Sequence, residues 1–179
     1  MEKGVLLHVG CGGAPIPDWA DGHFSEVRLD VDETHSPDVV ASMTAMGDIG
    51  EFDAIHCSHA LEHLHAHEVD TALAEFRRVL KPDGYAVIFV PDLEGVEATD
   101  EVLFTAPCGP LTGMDLIYGL RTLIADMPFM AHKTGFTTAT MTSALARAGF
   151  SRFSTRRLEN YNLMAVAVKS AGFAAFVRV

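Results

Sequence analysis

The feature that most constrains this chain is its first apolar run and the glycines at its end. Val5–Val9 is short, aliphatic and breaks directly into Gly10-Cys11-Gly12-Gly13. A run of that length bounded by glycines reads as a buried strand. Gly10 and Gly12 let the backbone turn sharply and approach a ligand with no Cβ in the way. Val27–Val31 reads as a second strand, with Asp30 and Asp32 at its end, and Asp30 lies 20 residues beyond Gly10. In doubly wound sheets an acid at that place accepts hydrogen bonds from ribose hydroxyls. A glycine turn alone is also what an ordinary strand-to-loop connection looks like; the acid on the next strand is what favours a nucleoside ligand. Asp32 is the alternative partner, and Asp30 is preferred.

The remainder alternates in the same way. Asp38–Ala41 and Phe52–Ser58 read as strands three and four. A helix is expected from about Glu68 to Leu80, because Val69, Ala72, Leu73, Phe76, Val79 and Leu80 recur at helical spacing. Lys81-Pro82-Asp83-Gly84 breaks it with a turn, and Tyr85–Val90 is a fifth strand. The stretch from Pro91 to Phe136 is irregular, with a helix near 113–125. Thr138–Ala148 is a further helix ended by Gly149. Phe150–Leu158 and Leu163–Val168 close the chain as a hairpin turned at Glu159–Asn162. This order predicts an α/β fold: a doubly wound, mostly parallel sheet with helices on both faces and antiparallel pairing at one edge.

Composition narrows the partners. With Lys+Arg 13 against Asp+Glu 24, the chain carries a net −11 and would repel a phosphate backbone. Double-stranded nucleic acid is therefore an unlikely partner by charge, while a cationic or neutral ligand is easily accommodated. The three cysteines, 11, 57 and 108, form no C-x-x-C pair, which argues against both a disulfide framework and a cysteine-built zinc site. No leader-like start and no run near 18 apolar residues is present, so a cytoplasmic protein without a membrane partner is expected. A dinucleotide is disfavoured because Pro15 stands where G-x-G-x-x-G needs its third glycine. Proline offers no N–H to a pyrophosphate.

On these pieces the chain resembles the class I S-adenosylmethionine (SAM)-dependent methyltransferases. The matching segments are LLHVGCGG at 6–13, VRLDVD at 27–32, PDVVASM at 37–43, FDAIHCSHALEHL at 52–64 and FRRVLKPDGYAVIFVPDL at 76–93. MDLIYG and FMAHKTGF, further on, are similar to a bacterial subgroup. The resemblance implies a seven-stranded Rossmann-like sheet with its last strand antiparallel, forming one domain over residues 1–179. It implies SAM as cofactor and S-adenosylhomocysteine (SAH) as product. Gly10, Cys11 and Gly12 would line the methionine and ribose end, Asp30 would hold the ribose, and Val31, Ser42 and Met43 would lie at the adenine. Ser58 and His59 would face the methionine moiety or the acceptor. His8, which stands where relatives often carry an acid, is counted among the cofactor-binding residues, and Ala14 stands where relatives often carry glycine.

His59–His67 reads HALEHLHAH, and its first five residues also fit H-x-x-E-H, a zinc peptidase pattern. Zinc needs three well-placed protein ligands, and here an apolar strand runs straight into the motif. The reading is therefore no metal. His59 is the best functional histidine, His63, His65 and His67 are structural or exposed, and Glu62 anchors the local turn. Residues 104–136, after the fifth strand, are expected to cover the substrate, since ligands of open α/β sheets bind outside the carboxyl ends of the strands. Tyr118, Arg121, His132 and Lys133 are its polar candidates, and His59 and His132 the candidate bases. The expected activity is in-line transfer of a methyl group to O, N or C of a small molecule. Two alternatives stay open: a catalytically inactive SAM-binding partner or sensor, and a zinc hydrolase using His59, Glu62 and His63.

Overall fold

The structure, a computed structural model, describes residues 3–170; both ends of the single-domain range expected from sequence, 1–2 and 171–179, lie outside them. Seven strands form one sheet: β1 (Gly4–Val9), β2 (Phe24–Asp30), β3 (Val39–Val40), β4 (Phe52–Ser58), β5 (Leu80–Pro91), β8 (Arg152–Leu158) and β9 (Asn162–Val168). Strands β6 (Val102–Ala106) and β7 (Gly109–Thr112) pair only with each other. The order in the main sheet is β3-β2-β1-β4-β5-β9-β8. β1 lies in the middle, parallel to β2 and β4, and β4 is parallel to β5. β9 is antiparallel to both β5 and β8. The reversed strand thus sits one place in from the edge, and β8 at the edge runs with the other strands.

Strands paired on both sides must bury both faces, which is why β1, β4 and β5 read as nearly continuous apolar runs. Leu7, Val9, Ile55, Cys57, Ala86 and Ile88 point to the main core. There they meet helix α1 (Ala66–Val79) through Val69, Ala72, Leu73, Phe76 and Val79. Helix α4 (Thr138–Arg147) brings Met141, Ala144 and Leu145 to the same core. Arg147 binds Asp70 of α1 through two 2.8 Å hydrogen bonds. Leu6 and Ala54 point the other way, under Trp19, Phe24 and Tyr85. Helices are expected on both faces, but among the described residues this second face is covered by the turn segment between β1 and β2. Pro15 and Pro17 in that connection deny a helix the N–H donors its ladder needs.

Two local readings change. Lys81-Pro82-Asp83-Gly84 is not a free turn: β5 starts at Leu80 and these residues bulge out, Phe52 pairing with Leu80 and Ala54 with Tyr85. The bulge persists because Lys81 Nζ binds both oxygens of Asp53, at 2.8 and 2.9 Å, and a Cβ on Gly84 would stand 3.0 Å from Phe52 O. The helix expected near 113–125 is two pieces, α2 (Gly113–Tyr118) and α3 (Arg121–Ile124). Gly119 (φ +89) separates them, with no room for a side chain because a Cβ would lie 2.5 Å from Met130 O. The β6–β7 hairpin ahead of them has no counterpart in the sequence pattern.

The second face holds a buried histidine. His56 on β4 sits 5.0 Å from the His8 ring, 6.0 Å from Trp19 and 5.8 Å from Phe89 between centroids. Burial pushes its pKa down from 6.5 to about 4, with the neighbouring His8 and His59 adding to the effect. The unfolded chain therefore takes up a proton near pH 6.5 that the folded chain takes up only near 4. Stability contributed by neutral His56 is complete above that window and falls as pH drops through it, by on the order of 3 kcal/mol. We predict that urea unfolding of His56→Phe shows a shallower loss of stability between pH 6.5 and about 4 than the parent. Parallel slopes would refute this assignment.

Candidate active site

β1 and β2 end side by side, with Val9 paired to Leu29, and the chain leaves β1 in a left-handed turn: Gly10 has φ +64 and Gly12 φ +46. The loop is tied to β2 by several groups. Leu29 O accepts the N–H of Gly10 (2.8 Å) and Cys11 (3.3 Å). Asp30 Oδ2 accepts the N–H of Gly12 (2.8 Å), and its Oδ1 that of Asp32 (2.9 Å). The Arg28 guanidinium donates to Gly12 O and Ala14 O, both at 2.7 Å. Two of the roughly four acceptor positions of the Asp30 carboxylate remain free. Asp32 is used elsewhere, its Oδ1 accepting from Thr34 N and Oγ1 in an exposed turn. Those bonds to Thr34 hold its pKa below the ordinary carboxylate value.

His8 lies beneath this loop, 2% exposed, with Nδ1 2.6 Å from Glu26 Oε1. Burial lowers its pKa and Glu26 pulls the other way. It faces the His56 side of the sheet, so it braces β1 against β2 rather than opening toward the glycine loop's concave side. Val31, after Asp30, is 63% exposed, and Met43 Cε is 3.9 Å from the place a Gly10 Cβ would take. Ser42 Oγ is 2.7 Å from Thr44 Oγ1. β4 ends at Ser58, and His59 turns the chain at φ +51, its N–H bonded to Phe89 O at 2.9 Å.

Beyond His59 opens a cavity of about 550 Å³ between the β6–β7 hairpin, α2 and the Asn160–Asn162 turn. Its wall is mostly apolar, including Phe104, Leu111 and Leu116, with a polar corner of His59, Glu62, His63 and His132. The segment is anchored over the strand ends by backbone bonds: Lys133 N and Thr134 N both donate to Glu62 O, at 2.8 and 3.1 Å. Of the polar candidates from this segment, only His132 reaches the cavity wall. Its Nδ1 is 2.9 Å from Leu116 O, and burial lowers its pKa against the opposing pull of Glu62. Tyr118 is 52% exposed and outside the cavity. Arg121 is held by Asp100 (2.7 Å) and Asp115 (3.1 Å), and the Lys133 side chain is exposed.

Glu62 and His63, expected to be a turn anchor and a structural or exposed histidine, both line the cavity instead. The H-x-x-E-H pattern sets both apart from His65 and His67, which are exposed and stacked at 5.7 Å, but it does not point to His132 as their neighbour. The H-x-x-E-H stretch is a left-handed residue leading into one 3₁₀ turn, Leu61–His63. The continuous helix of a zinc peptidase is thus absent from it. Arg28 and Glu26 are also invisible in the sequence as loop supports, because nothing in a strand's pattern says which residue its outward face will meet.

Residues 7–88 match the family described as a methyltransferase domain. No curated protein sequence matches significantly. Among solved structures, a SAM-dependent methyltransferase from Mesorhizobium loti superposes with TM-score 0.66 at 18% identity, over 93% of this chain and 91% of that one. The 1,6-didemethyltoxoflavin-N1-methyltransferase of Burkholderia thailandensis, with 1,6-didemethyltoxoflavin and SAH bound, gives 0.62 at 16%, over 94% and 72%. Human N-acetylserotonin methyltransferase in complex with SAM gives 0.62 at 12%, over 93% of this chain but 47% of its own length.

The loop geometry separates its two glycines. A Cβ at Gly10 would lie 2.6 Å from Ala60 Cβ, whereas one at Gly12 meets nothing within 4 Å. Gly12→Ala is expected to cost about 1 kcal/mol, from backbone strain alone. Gly10→Ala, which adds a clash to the same strain, should cost at least about 2 kcal/mol. Urea unfolding of the two variants checks the order, and equal losses would contradict the close contact with Ala60.

Proposed function

We propose that this chain, which has the Rossmann-like fold of the class I SAM-dependent methyltransferases and carries a methyltransferase domain in residues 7–88, transfers a methyl group from SAM to a small molecule held in the cavity beyond His59. The observation that carries this is the Asp30 carboxylate. It holds the glycine loop by the Gly12 N–H and keeps acceptor capacity for a ribose diol. Gly10, Cys11 and Gly12 fit the ribose and methionine end of the cofactor. Val31, Ser42 and Met43 fit its adenine, exposed Val31 supplying an apolar face beside the acid. His8 braces β1 against β2 through Glu26. Ser58 and His59 stand between cofactor and cavity.

The toxoflavin enzyme holds a small acceptor together with SAH, which supports a small-molecule acceptor here. In the transfer, the acceptor's lone pair forms the bond to the methyl carbon while the methyl–sulfur pair stays on sulfur, leaving SAH. The protein's part is to align the two and exclude water. Residues 104–136 serve as the cover that does so, within one domain. A proton released by an O–H or N–H acceptor has His59 at hand, half-exposed and able to pass it to solvent. Among the described residues no helix is long and apolar enough to cross a membrane.

Calorimetry with SAM and SAH tests the reading. Both are expected to bind, and Asp30→Ala should weaken SAH by tenfold or more, about 1.4 kcal/mol, with its circular dichroism unchanged. SAH release from SAM on incubation with a panel of small phenols and amines tests turnover. Absence of SAH binding, or undiminished affinity in the Asp30 variant, would overturn the site.

A further inference from the structure

The polar corner of the cavity has the composition and geometry of a metal site. One donor atom from each of Glu62, His63 and His132 lies within 4.8 Å of the other two. The residues come from two distant segments, the 3₁₀ turn after β4 and the strap after Pro128–Met130. These are fastened to each other by the Lys133 and Thr134 N–H bonds to Glu62 O and by Thr134 Oγ1 to Leu64 O at 2.6 Å. The histidine rings stand 5.2 Å apart.

Two independent features point to a cation. The Glu62 side chain is 2% exposed, and neither carboxylate oxygen has a hydrogen-bond partner; His59 Nδ1 lies 3.4 Å from Oε1. A carboxylate so buried is costly unless a positive group meets it. Each histidine, moreover, spends Nδ1 on a backbone carbonyl: His63 on Ala131 O (3.3 Å) and His132 on Leu116 O (2.9 Å). A carbonyl accepting from Nδ1–H fixes the tautomer and leaves the Nε2 lone pair for a metal, the usual second-sphere arrangement of metal-binding histidine.

We propose that Glu62, His63 and His132 bind a first-row divalent ion of the zinc class, whose open coordination position takes an oxygen of the molecule in the cavity. Two imidazoles and one carboxylate suit such an ion and leave it an exchangeable position. Mg²⁺ and Ca²⁺ prefer all-oxygen sets. Donors at about 2.1 Å from one zinc stand about 3.4 Å apart in a tetrahedron, so a small side-chain adjustment closes the cluster on the ion. The oxygen half of the proposal rests on the methyl-transfer reading; the ion half does not. An acceptor hydroxyl coordinated there releases its proton to solvent. Its oxygen pair then forms the bond to the methyl carbon as the methyl–sulfur pair goes to sulfur.

The test is a titration of chelator-stripped full-length protein with cobalt(II) chloride, read by visible absorption, with zinc displacement measured by calorimetry. One equivalent is expected. Glu62→Gln and His132→Ala should each raise Kd by more than about 100-fold, while His65→Ala/His67→Ala leaves it unchanged. Affinity insensitive to the first two variants, or lost in the third, overturns the site in favour of adventitious surface binding. SAH calorimetry on the same proteins separates the two claims. SAH bound without a metal site removes this proposal alone, whereas a metal site without SAH binding removes the methyl-transfer reading and the oxygen half with it. A change in the cobalt bands on adding catechol supports the oxygen half, and unchanged bands overturn it.

Discussion

The whole arrangement depends on how β2 grips the loop that leaves β1. Neighbouring parallel strands bring Leu29 O, the Asp30 carboxylate and the Arg28 guanidinium up to a backbone that glycine has bent into the left-handed region. A loop of small residues would otherwise sample many conformations, and glycine loses the most freedom when ordered. Charge-assisted hydrogen bonds from one adjacent strand offset that loss. One carboxylate, Asp30, thus ties the glycine loop to β2 and fixes the start of the turn that follows β2.

The second organising contact is Gly10 against Ala60. It brings the end of β4 close to the glycine loop and turns His59 outward between two spaces. One side belongs to the strand tips, the other to the cavity under the 104–136 segment. His59, the left-handed residue between them, lines the cavity on one side and leaves β4 on the other. The polar corner beyond it concentrates a buried carboxylate and three imidazoles in a mostly apolar wall. In such low-dielectric surroundings each charge interaction counts for more than at the surface.

The two ends of the chain differ in how much of their structure the pattern of residues carries. Strands β1, β4 and β5 and helix α1 are legible because burial imposes a period: Val69, Leu73 and Phe76 recur as one helix face, and the strands are apolar throughout. Asp30 is legible because the strand–glycine–strand–acid spacing is set by local geometry. The 104–136 segment carries no such period. Its hairpin, the break at Gly119 and the inward turn of His132 arise from contacts with residues far away in sequence, such as Gly119 against Met130 O and Thr134 against Leu64 O. As residue types, Tyr118, Arg121 and Lys133 are as polar and as available as His132. Exposed Asp100 and buried Asp115 hold the Arg121 side chain in an ion-pair network.

By itself the sequence determined the alternating α/β order, the glycine loop that ends the first strand and the acid beside it, since these arise from short-range pattern and chain stereochemistry. Tertiary structure alone decided which histidines and which glutamate share a cavity, that the reversed strand lies inside the edge, and that His8 faces away from the loop. Those outcomes depend on where separate segments come to rest against one another. One-dimensional spacing does not encode the direction a side chain takes across such a contact.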